Sequence, residues 1–67
     1  MANFTQPELM QLRENLSSEL LAISKLANFA AQTNDPQIRQ LCTNMQRAHE
    51  RHRDILLRHI NAGQPVM

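Results

Sequence analysis

The sequence predicts an all-α fold, an antiparallel helical hairpin that dimerises into a four-helix bundle. Three observations predict it. Two long segments are filled with Leu, Ala, Gln, Glu and Arg, which are good helix formers. Within each segment apolar residues recur at alternating steps of three and four, the spacing of a helix that buries one side. The third observation is size. A chain of 67 residues buries only about 60% of its unfolded surface and is marginal alone. Cys42 is the only cysteine, so no disulfide forms within the chain. A metal or a partner copy is left to supply stability.

The elements follow in order. Thr5-x-x-Glu8 matches a capping box, in which each residue satisfies a backbone amide of the other. Phe4 and Leu9 stand where a hydrophobic staple would place them. Pro7 falls in the first turn, where its missing amide proton costs little. The first helix is expected over about 6–32. Asn34-Asp35-Pro36 is the break, with Asp35 as N-cap and Pro36 at the first helical position. The second helix is expected over about 36–61, with Gly63 as a left-handed cap and Pro65 as a stop. So short a connection forces the helices antiparallel and adjacent. The whole is one domain, with no internal repeat.

Composition narrows the function classes. Seven basic and six acidic residues leave a net charge of +1, with no pull toward nucleic acid or anionic membrane. No apolar run approaches the roughly 20 residues of a membrane span. The opening residues Met1 to Gln6 have no basic segment followed by an apolar one, which predicts no secretory signal. The expectation is a soluble protein, cytoplasmic when made. There are two Phe and no Trp or Tyr, so the core is aliphatic and stacking platforms for single-stranded bases are missing. No Gly-rich phosphate loop, nucleophile elbow or hydrolytic acid pair occurs, which favours a non-enzyme.

Helix 1 carries a seam at Leu9, Leu12, Leu16, Glu19, Ile23, Leu26 and Ala30, widened by Leu20 and Ala27. Helix 2 carries Ile38, Cys42, Met45, His49, His52, Leu56 and His59, flanked by Leu41, Ala48, Ile55 and Ile60. Glu19 alone interrupts the first seam; three histidines interrupt the second. Glu19 lies 15 residues before Asn34 and His49 lies 15 after it. In an antiparallel pair they share a level, with His52 one turn away.

A buried carboxylate costs several kcal/mol without a proton, a partner or a metal. One reading is therefore a metal site of Glu19, His49 and His52, holding iron or zinc. Di-iron bundles use a Glu from each of two helices and Glu-x-x-His from each of the others. Here His49 replaces the Glu of that motif, which removes two carboxylates from a dimer's site and favours a single zinc or iron over a reactive di-iron pair. The other reading is structural: Glu19 and a histidine bond to each other in a polar layer that fixes register, or His49 sits wet at the edge. His59, near the open end, reads as a rim residue, and Cys42 as a small apolar one.

Helix 2 also carries Arg39, Arg47, Arg51, Arg53 and Arg58, of which Arg47, Arg51 and Arg58 share a face. Duplicated in a dimer, such a face would grip RNA. The other reading is an ordinary solvated face, in which Glu50 and Asp54 pair with these arginines along the helix. Nucleic acid ranks last among the partners.

Three stretches carry a family resemblance: Ser18-Glu19-Leu20-Leu21-Ala22-Ile23-Ser24-Lys25-Leu26, then Thr33-Asn34-Asp35-Pro36-Gln37-Ile38-Arg39, then His49-Glu50-Arg51-His52. Together they resemble the spore coat protein F family, short two-helix units of endospore-forming bacteria with a ferritin-like arrangement. The resemblance spans about residues 7–63. In that family the second helix is commonly followed by Gly and an aromatic-Pro segment; Gly63-Gln64-Pro65-Val66 keeps the Gly and the Pro without the aromatics. The resemblance implies a structural or interaction role in the spore coat. The implied partners are the chain itself, as homodimer or higher oligomer, and other coat proteins.

Overall fold

The computed structural model describes residues 4–63. It consists of two helices, α1 (Gln6–Gln32) and α2 (Pro36–Gly63), laid side by side as an antiparallel hairpin. No strand occurs among the described residues.

Local chemistry sets the helix ends. Thr5 is extended at the N-cap of α1, and the expected capping box forms: the Glu8 amide donates to Thr5 Oγ1 at 3.2 Å and the Thr5 amide donates to Glu8 Oε1 at 2.8 Å. At the start of α2, Asp35 Oδ1 accepts from the amides of Gln37 (2.9 Å) and Ile38 (3.4 Å). α2 extends to Gly63, two residues past the end expected from the sequence. Gly63 is thus the last helical residue rather than a cap beyond the helix. The Pro65 stop lies outside the described residues.

The turn carries a tie the sequence did not announce. Arg39, from the first turn of α2, reaches back to the C-terminus of α1. Its Nη2 donates to the Thr33 carbonyl at 2.8 Å and its Nε to the Ala30 carbonyl at 3.4 Å. Carbonyls at a helix C-terminus lack intrahelical partners and carry partial negative charge, so a guanidinium there satisfies both needs. The Thr33 amide closes the last turn onto the Phe29 carbonyl.

Packing shows how thin the hairpin is. The α1 seam (Leu9, Leu12, Leu16, Glu19, Ile23, Leu26, Ala30) is half-buried at every position. On α2 the line turned to α1 is Cys42, Gln46, His49, Arg53, Leu56 and Ile60. This corrects the expected seam, which had Met45, His52 and His59 in the places of Gln46, Arg53 and Ile60. Only Cys42 (6% exposed) and Ile60 (7%) are buried among the described residues. Leu20 and Ala27, expected to widen the core stripe of α1, are exposed. One neighbouring helix covers only a narrow arc of a cylinder, so side chains flanking that arc remain in water.

A second line therefore runs largely uncovered along α2: Ile38, Leu41, Met45, Ala48, His52 and Ile55, of which only Ala48 is half-buried. Its steps are 3, 4, 3, 4, 3, the spacing of a face that packs against another helix. Ile38, Leu41, Met45 and Ile55 are all exposed, Leu41 by 54%. No helix among the described residues is long and apolar enough to cross a membrane.

Candidate functional site

The site stands midway along the hairpin, where both seams turn polar at one level. Glu19 comes from the middle of α1, held by half-buried Leu16 and Ile23 a turn to either side. His49 and His52 come from α2. Three residues apart, they lie on neighbouring parts of one helix face. Antiparallel pairing brings all three together across about 30 residues of sequence.

The Glu19 carboxylate takes one imidazole on each oxygen. His49 Nδ1 meets Oε1 at 2.5 Å and His52 Nδ1 meets Oε2 at 3.2 Å. The two rings stand edge to face, with centroids 5.8 Å apart and planes at 85°. One potential ligand atom from each of the three residues lies within 4.8 Å of the others. Burial grades across the set. The Glu19 side chain is 16% exposed, His49 about twice that, and His52 57%. The cluster thus runs from the helix interface outward to water. It opens into a groove lined by Asn15, Ser18, Glu19, His52, Ile55 and Leu56, on the side of the uncovered α2 line.

These partners lower the Glu19 pKa. The hydrogen bond from His49 is the main cause, aided by the charges of both imidazoles, while partial desolvation works against them. Glu19 is therefore a carboxylate across the neutral range. With one carboxylate and two imidazoles converging, the cluster can hold a proton between carboxylate and ring, or a cation in the protons' place.

Comparison with protein-family models, curated proteins and solved structures finds no match for this chain. The resemblance to spore-coat hairpins accordingly rests on the residue patterns alone.

The remaining candidates separate clearly. His59 is exposed toward the open end of the hairpin, and Cys42 is the most buried side chain described, with no ionisable partner. Of the five arginines of α2, Arg47, Arg51 and Arg58 stay on one exposed side of the helix and two are engaged. Arg39 caps α1, and half-buried Arg53 pairs with its neighbour Asp54 through Nε at 3.1 Å. The pairing expected between Asp54 or Glu50 and the other arginines does not form. Among the described residues, Arg47, Arg51 and Arg58 are exposed with no carboxylate within 4.0 Å. The one functional contact that sequence reasoning missed is the Arg39 tie. A basic residue in the first turn of a second helix, opposite the end of the first, is the signal that could have found it.

Proposed function

We propose that this chain is a non-enzymatic scaffold module that works by self-association, two hairpins forming a four-helix bundle of ferritin-like arrangement. The observation that carries this is the uncovered line Ile38, Leu41, Met45, Ala48, His52 and Ile55. Large apolar side chains are kept in water at helix-packing spacing, which costs free energy unless another surface covers them. A heptad-spaced line is also self-complementary: a two-fold axis through it pairs α2 with α2 of a second copy, each side chain entering the gaps of the other. Completing the burial of a half-exposed Leu, Ile or Met contributes about 1 kcal/mol. Four of them per copy count twice in a dimer.

The resemblance to spore-coat hairpins supports a structural role and a place in a coat, with other coat proteins as further partners. The deciding measurement is sedimentation equilibrium from nanomolar to high micromolar protein, with helix content followed in parallel. The expected result is a dimer or higher oligomer at micromolar concentration, losing helix as it dissociates. A folded monomer throughout that range overturns the reading.

A further inference from the structure

We propose that Glu19, His49 and His52 form a binding site for a single first-row divalent metal ion, zinc(II) or iron(II), held by one carboxylate oxygen and two imidazole nitrogens.

The donor set supports this first. Two neutral imidazoles and one carboxylate suit zinc, and the same set, arranged on one side of the ion, suits iron(II). Hard ions such as magnesium prefer oxygen throughout and gain little from two imidazoles. Spacing supports it next. Ligand atoms bound at about 2.0–2.2 Å around a tetrahedral ion lie about 3.3 Å from one another. The two nitrogens already sit 2.5 and 3.2 Å from the carboxylate oxygens. Small side-chain rotations admit the ion without moving either helix. Each ring then turns the Nδ1 lone pair to the ion and carries its proton on Nε2 instead. The carboxylate is already ionised, so it has no proton to lose first.

Placement supplies the third argument. Within one hairpin the cluster reaches the edge of the helix seam and is not enclosed by it. Here His52 leaves the seam, is 57% exposed, and turns its Nδ1 back onto Glu19. The groove beside it, lined by Asn15 and Ser18, gives water or a ligand access to the remaining coordination positions. All three ligands come from one hairpin, so no residue of a second copy is needed to complete the set.

The test uses the full chain without a histidine tag. Zinc chloride, iron(II) sulfate without oxygen, and magnesium chloride are each titrated calorimetrically, and melting is followed with and without each ion. Zinc and iron(II) are expected to bind one ion per chain and raise the melting temperature, with magnesium doing neither. His52→Ala, at an exposed position the hairpin tolerates, and Glu19→Gln, which keeps the side-chain shape, should each weaken binding by about tenfold or more, the loss that even an outer-sphere partner causes. Circular dichroism confirms that each variant is folded. Absence of binding by zinc and iron(II) overturns the proposal. So does wild-type affinity in both variants, which would place the ion elsewhere, at His59 or Cys42. Running the titration beside sedimentation separates the two ideas: a monomer that binds one ion sustains this site without the scaffold, and a dimer that binds none removes the site alone.

Discussion

Two lines of side chains run along α2, and the better core is on the outside. The line turned to α1 is Cys42, Gln46, His49, Arg53, Leu56 and Ile60, half of it polar or charged. The line left in water is Ile38, Leu41, Met45, Ala48, His52 and Ile55, with a single polar member. A chain that ended its folding as a hairpin would gain by turning α2 so that the second line met α1. It does not: the first turn of α2 is tied to Thr33 and Ala30 by Arg39 in the rotation observed. The difference teaches that the pairing of α1 with α2 fixes geometry, while the uncovered line gathers four exposed large apolar side chains, Ile38, Leu41, Met45 and Ile55, at helix-packing spacing.

The largest effect is expected from a charge on the uncovered line. Leu41→Glu should raise the dimer dissociation constant at least a hundredfold, since a buried unpaired carboxylate costs about 3 kcal/mol or more. Leu21→Glu, at a position equally exposed but on the far side of α1, should change it by less than about threefold. Sedimentation reads both. Equal effects from the two would erase the distinction between an assembly face and an ordinary surface.

Next comes the inner line. Ile60→Ala should cost about 2–3 kcal/mol of stability, as truncation of a buried Ile does, read by urea unfolding at fixed protein concentration. Ile55→Ala, exposed in the single hairpin, should act through the dimer instead, read by sedimentation as a raised dissociation constant.

Smaller again is the turn. Arg39→Ala removes two hydrogen bonds to the end of α1 and should cost about 1–2 kcal/mol, with Lys restoring only part because it lacks the guanidinium fork. A neutral result would show that the rotation of α2 is set by packing and not by this tie.

The smallest effect concerns Glu19, measured with a chelator present. Its folded pKa lies below the ordinary 4.5, so the unfolded chain takes up a proton first as pH falls. The contribution of its histidine contacts is complete well above pH 4.5 and is lost as pH drops through the folded value. Urea midpoints of the wild type and Glu19→Gln should therefore begin to approach each other as pH falls past about 4.5 and meet only below the lowered folded pKa. Glu8, also lowered by its capping box, loses its share in the same range in both proteins and so cancels. A gap that stays constant down to the acid limit would mean that the carboxylate charge contributes nothing.

Much of this protein is written locally in its sequence. Thr5 and Glu8 start one helix, Asp35 and Pro36 start the other, and their chemistry acts within four residues, where no distant part of the chain interferes. The common level of Glu19, His49 and His52 was equally legible, because a short turn between straight helices makes level a matter of counting residues from Asn34. The rotation of each helix about its own axis is different. The apolar stripe of α2 spans two adjacent heptad lines, and periodicity alone does not say which of them meets α1. Only the tertiary structure decided that Gln46, Arg53 and Ile60 face inward and that Met45 and His52 do not. It also turned Arg39 from a surface charge into a tie between the helices. Both outcomes depend on contacts made across the turn, which no run of neighbouring residues encodes.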